Sequence, residues 1–109
     1  MTRKEAIREF KERKTPRGIF AIRCAKTNRI WVGSSRNLDA AKNGYWFGLR
    51  TGKHLDKSLQ EEWTAQGEPE FSYEILETLD DDVHPMELKD LLKTKQSEWV
   101  EREGADRLL

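Results

Sequence analysis

The chain has a single cysteine, Cys24, in 109 residues. An internal disulfide is therefore excluded, and with neither a CxxC pair nor a paired-histidine motif the sequence offers no zinc-ligand pattern. Among its apolar neighbours Cys24 reads as a buried strand thiol. Long apolar runs are also missing. Nothing approaches the ~20 residues of a membrane-spanning helix, and the basic opening TRKEAIREFKERK lacks the apolar region of a secretory signal. The expectation is a soluble cytoplasmic protein without a membrane partner. Net charge is absent as well, with 20 Lys and Arg against 20 Asp and Glu, which removes global steering toward a polyanion. No repeat, low-complexity tract or linker divides the sequence, and 36% hydrophobic against 37% charged residues supports one domain with a modest core.

What is present is strongly polarised. Residues 1–57 carry 15 Lys and Arg against 5 acids, whereas residues 58–87 carry 10 acids and no Lys or Arg. The front half is a candidate polyanion surface, provided that folding gathers its positive charges on one face. A solvated surface with charges paired between helices fits the same composition. The acidic stretch suits a basic partner or self-association through the front half, so a homo-oligomer is a further expectation.

Hydrophobic patterning places the elements. Ala6, Ile7 and Phe10 recur at helical spacing and predict an amphipathic helix over 2–14, ended by Thr15-Pro16-Arg17-Gly18. Ile19 to Ala25 and Ile30-Trp31-Val32 flank a Lys26-Thr27-Asn28 turn and predict a β-hairpin. Ser35 or Asn37 can cap a helix over 38–48, and Leu59 and Trp63 mark a second helix over 55–65, stopped by Gly67. Alternation of Phe71, Tyr73 and Ile75 predicts a third strand. Pro85 suits the first turn of a last helix whose stripe is Leu88, Leu91, Leu92 and Trp99. The order defines an α+β fold: a three-stranded antiparallel sheet flanked by helices, with an extra helix at the N-terminus.

GIF at 18–20 and WVG at 31–33 resemble the paired GIY and YIG triplets of the GIY-YIG nuclease family. SSRNL at 34–38, LRTGKH at 49–54, KSLQEEW at 57–63, Gly67, FSYEILE at 71–77 and the helix ending LLKTKQSEW continue the likeness in order and spacing. They are similar to the family's homing-endonuclease-like and small bacterial members. The division implied is an N-terminal helix over 1–16, packed on a GIY-YIG-like domain over 17–109.

The resemblance implies an active site built from a tyrosine in each triplet, an arginine on the following helix, often a histidine, and a glutamate on a later helix. Phosphodiester hydrolysis needs a deprotonated nucleophile, a cation over the developing charge and a carboxylate for the divalent metal, and those residues supply them. This chain departs at four positions. The tyrosines fall on Phe20 and Trp31, neither of which can act as a base; the arginine falls on Ala41 and the glutamate on Gln96. Lys42 is adjacent to Ala41 but turned by ~100° around the helix. A neutral amide is a poor ligand for Mg²⁺ or Mn²⁺, the ions implied if the protein is active, and no metal-binding residue is assigned.

Two family-like positions persist, His54 and Tyr45, and they are the candidate catalytic residues. His54 can equally hydrogen-bond at the start of its helix. Tyr45-Trp46-Phe47 reads as core more readily than as a stacking platform, although one of the three rings must point outward. Arg36, Lys42, Arg50, Lys53 and Lys57 form the candidate nucleic-acid surface. Three functions fit: a nuclease-like module that binds nucleic acid, DNA before RNA, without the standard catalytic set; an active metal-dependent nuclease using His54; or a small-molecule or protein-binding module whose concave site is apolar at Phe20, Trp31 and Ala41.

Overall fold

The computed structural model describes residues 15–80 and 82–108, and the helix predicted over 2–14 lies outside them. Strand β1 (Gly18–Cys24) turns back into β2 (Ile30–Ser35) in antiparallel register, with Phe20 opposite Gly33 and Ile22 opposite Trp31. Asn28 closes the turn in the left-handed region at φ 61°, a conformation its short polar side chain tolerates, and its N–H donates to the Cys24 carbonyl at 2.8 Å. Helix α1 (Leu38–Arg50) begins at Asn37, whose side chain accepts from the Ala40 N–H. Helix α2 (Lys57–Gln66) is followed by a 3₁₀ turn at Glu68–Glu70, then by β3 (Phe71–Thr78), α3 (Pro85–Glu103) and β4 (Asp106–Arg107).

The sheet has four strands in the order β3-β1-β2-β4, so the three-strand expectation is one short. The two-residue β4 pairs parallel with β2, setting Asp106 against Trp31 and Arg107 against Val32. A strand so short leaves no periodicity to detect; tertiary pairing creates it. The second helix starts at Lys57 and not at Leu55, because buried Asp56 takes the Leu59 N–H as the N-cap and leaves Leu55 83% exposed. The first helix runs two residues past its expected end, to Arg50.

Alternation along β1 divides the core. Phe20, Ile22 and Cys24 join Trp31, Leu38, Trp46, Leu59 and Trp63 on the side covered by α1 and α2. Ile19 and Ala21 join Val32, Leu88 and Leu92 on the side covered by α3. Cys24 is buried as expected. Gly33 permits a close approach at the sheet: a Cβ there would lie 2.6 Å from Phe20 Cζ and 2.9 Å from Leu108 Cδ2. The end of β2 beyond Gly33, at Ser34 and Ser35, is where the strands give way to concave surface.

Candidate functional site

Two cavities meet at Ser34 and Ser35. The first, of about 390 Å³, lies against α1 and the segment leading to α2 and is lined by Ala41, Tyr45, Gly48, Lys53 and His54 in addition to the two serines. The second, of about 310 Å³, lies against α3 and is lined by Arg36, Lys89, Lys93 and Gln96 with the same serines. The family-like positions Ala41, Tyr45 and His54 are thus brought together, while Gln96 lies across the Ser34-Ser35 wall.

Phe20 and Trp31 line neither cavity, which corrects the expectation of a concave site that is apolar at both. Each is 0% exposed. Phe20 lies beneath the first cavity, its ring centroid 5.2 Å from those of Tyr45 and Tyr73. Trp31 is turned toward α2: its indole N–H donates to Ser58 Oγ at 2.8 Å, and the Arg29 guanidinium lies 4.7 Å from its ring centre. Both rings are spent on packing, and a buried ring presents no group to a phosphodiester.

His54 is held from two directions. Its backbone N–H donates to Gln60 Oε1 at 3.1 Å, and its Nδ1 accepts the Asp56 N–H at 3.0 Å. A backbone amide can only donate, so Nδ1 carries no proton and the neutral ring carries its proton on Nε2. Burial lowers the His54 pKa, opposed by the Asp56 carboxylate, and the ring is therefore neutral at pH 7. His54 thus hydrogen-bonds at the entrance to α2, as one of its two readings expects, while its ring lines the cavity. The Tyr45 ring lies 5.0 Å from it, and burial followed by the Asp56 charge raises the phenol's pKa, so its hydroxyl keeps its proton. These two groups are donors, and neither is poised as a base.

Tyr73 is a phenol that sequence reasoning passed over. Its ring stacks on Phe20, and its hydroxyl donates to the Leu38 carbonyl at 2.9 Å. Burial, then Asp39 and Tyr45, push its pKa up to about 12. It cannot replace the hydroxyl absent from Phe20 as a base.

The predicted cations separate into groups. Lys53 lines the first cavity and Arg36 the second. Lys42 lies 5.6 Å from the centre of the Trp46 ring, and Lys57 is exposed at the start of α2, lining neither cavity. Arg50 is bound by Glu68 through two hydrogen bonds of 2.7 Å, a forked pair that occupies its donors. Of the three adjacent aromatics, Trp46 is buried and Phe47 is the ring that points outward, at 70% exposure.

At the position where the resemblance implies a metal-binding carboxylate, the residues present do not fit a divalent cation. Gln96 is buried, and its Nε2 donates to the Val32 carbonyl at 2.9 Å and to the Leu108 carbonyl at 3.1 Å. Among the described residues the charged groups lining that cavity are Arg36, Lys89 and Lys93, all positive. A hard cation is held by charged oxygens, and here it would meet like charge. Lys89 and Lys93 escaped sequence reasoning because α3 mixes basic and acidic residues in nearly equal number; only their i, i+4 spacing on one face hints at a pair.

The fold places this chain among proteins with a GIY-YIG-like fold. The catalytic domain of I-TevI, a GIY-YIG homing endonuclease, superimposes on 85% of this chain and 98% of its own length, at TM-score 0.71 and 23% identity. A structure of a mutant of the same domain of this intron endonuclease covers 83% of this chain and 86% of its own, at TM-score 0.70 and 23% identity. Likeness at this level defines the fold, and the chemistry rests on the residues above. No family model matches the sequence, and no curated protein matches it. Among the described residues no helix is long and apolar enough to cross a membrane.

Proposed function

We propose that the protein is a nucleic-acid-binding module on a nuclease-like fold, which holds a phosphodiester at the first cavity and lacks the hydrolytic set of its fold relatives. The observation that carries this reading is the Asp56 N–H to His54 Nδ1 bond, which leaves Nε2 as the donor of a ring that lines the cavity. A ring so fixed donates from Nε2 and cannot take a proton there without giving up its tautomer. With Tyr45 protonated, and Lys53 and the hydroxyls of Ser34 and Ser35 alongside, the lining can surround a phosphate with donors. Among the described residues no member of that lining is a carboxylate.

DNA is the favoured ligand. The homing endonuclease fold relatives support nucleic acid over a small molecule, although the cavity's size falls within the ~300–1,000 Å³ range of small-ligand pockets. Fluorescence anisotropy with labelled single-stranded DNA, double-stranded DNA and RNA, together with plasmid nicking in Mg²⁺ and Mn²⁺, tests the reading. The expected result is binding that weakens as salt rises, stronger for DNA, and an intact plasmid. Absence of binding at low ionic strength overturns it. Metal-dependent nicking that disappears in His54→Ala would replace it with an active nuclease of altered design.

A further inference from the structure

The second cavity gathers cations with no counter-ion among the described residues. Arg36 stands just beyond the end of β2, and Lys89 and Lys93 stand one turn apart on α3, all three lining one space of about 310 Å³. Among the described residues none of the three forms an ion pair. Other cations are matched: Lys95 lies 3.6 Å from Glu77 and from Glu98, Arg50 is bound by Glu68, and Arg29 reaches Asp106 at 2.8 Å. Three like charges around one concavity repel one another until an anion enters.

The floor and wall of the space suit an anion also. Ser34 and Ser35 bring hydroxyls that rotate to donate. Gln96 forms part of the lining and directs its nitrogen away into the fold, to the carbonyls of Val32 and Leu108. Among the described residues the lining contains no carboxylate, so it repels divalent metal where the resemblance implies one. The two serines are shared with the cavity that holds Tyr45, Lys53 and His54, so the two spaces adjoin and can seat successive phosphates of one strand.

We propose that the groove between the end of β2 and α3 is a second phosphate site, in which Arg36, Lys89 and Lys93 take the neighbouring backbone phosphate directly, with no divalent metal. This rests on the nucleic-acid reading of the first cavity and adds α3 to the interface. Cations of the protein occupy the place of the metal and its carboxylate, and the backbone is gripped where a nuclease would cut it.

The test is an anisotropy titration of a fluorescein-labelled DNA oligonucleotide over a series of KCl concentrations, for the unsubstituted protein and the double variant Lys89→Ala/Lys93→Ala. Both lysines are exposed, so the variant folds, as circular dichroism and thermal melting check. Two lost phosphate contacts should lower affinity by about tenfold or more at low salt, and reduce the slope of log K against log salt by roughly 1.4–1.8. Lys26→Ala, in the β1–β2 turn at the other end of the hairpin, should change neither quantity. EDTA should leave binding unaltered. If the unsubstituted protein binds and the double variant keeps the same affinity and slope, the second site is overturned while the first stands. Binding that requires Mg²⁺ or Mn²⁺ overturns the metal-free assignment. Absence of binding by the unsubstituted protein overturns both readings.

Discussion

Gln96 of α3 donates through its side-chain nitrogen to the Val32 carbonyl of β2 at 2.9 Å, and that same carbonyl accepts the Leu108 N–H at 2.9 Å. With its second bond, to the Leu108 carbonyl, the amide ties the last helix, a central strand and the C-terminal segment into one unit. A carboxylate has no proton to offer either carbonyl, so Gln96→Glu, the substitution that would match the nuclease pattern, should destabilise the fold by about 3 kcal/mol at pH 7. Burial would raise the new carboxyl's pKa, and the penalty should shrink as pH falls and it protonates. Urea denaturation at pH 7 and pH 5 measures both effects. A variant as stable as the unsubstituted protein at pH 7 would remove the donor role of Gln96.

Gly33 should tolerate no side chain. A methyl group there meets the Phe20 ring and Leu108 at distances well inside contact, and both neighbours are buried. Gly33→Ala should cost about 1–3 kcal/mol through overpacking, read as a lower denaturation midpoint at unchanged slope. Gly44→Ala is the comparison, because a Cβ there meets nothing within 4 Å. Its helical position should make that substitution neutral or stabilising. Equal loss in the two variants would show that packing at Phe20 is not the cause.

Stability should depend on pH through His54. Its folded pKa is lowered from 6.5, mainly by burial, so the unfolded chain takes up a proton more readily than the folded one. Stability from this group is complete above the unfolded value, and it is lost as pH falls through about 6.5 toward the lower folded value. His54→Gln should flatten that part of the stability profile. An imidazole titration followed by NMR, with a midpoint at or above 6.5, contradicts the burial argument.

Glu68 should restrain nucleic-acid binding. It occupies Arg50 in a forked pair on the exposed side of α1, and its charge also acts on Lys42. Glu68→Ala frees the guanidinium and removes a negative charge near two predicted contacts. Affinity for DNA at low salt should rise by roughly two- to fivefold, with a steeper salt slope, because each added phosphate contact contributes about 0.7–0.9 to it. An unchanged slope places Arg50 and Lys42 outside the interface. Stability should change little, since exposed ion pairs contribute weakly.

Much of this architecture is legible in the residues. The alternation in β1, the turn at Asn28, and the helical spacing of Leu59 with Trp63 each follow from local preference and the burial of one face. Strand β4 is not legible, because two residues carry no period, and Leu55 reads as helical because an apolar residue at helical spacing looks the same whether or not Asp56 caps after it.

By itself the sequence determined that no tyrosine stands at positions 20 and 31, no arginine at 41 and no glutamate at 96, and these absences follow from identity alone. Tertiary structure decided what the replacements do. It turned Trp31 toward Ser58, set the proton of His54 on Nε2, spent Arg50 on Glu68, and placed Lys89 and Lys93 across from Arg36. Such roles depend on which groups from distant segments lie within hydrogen-bond or Coulomb range, and folding sets that range where spacing along the chain does not.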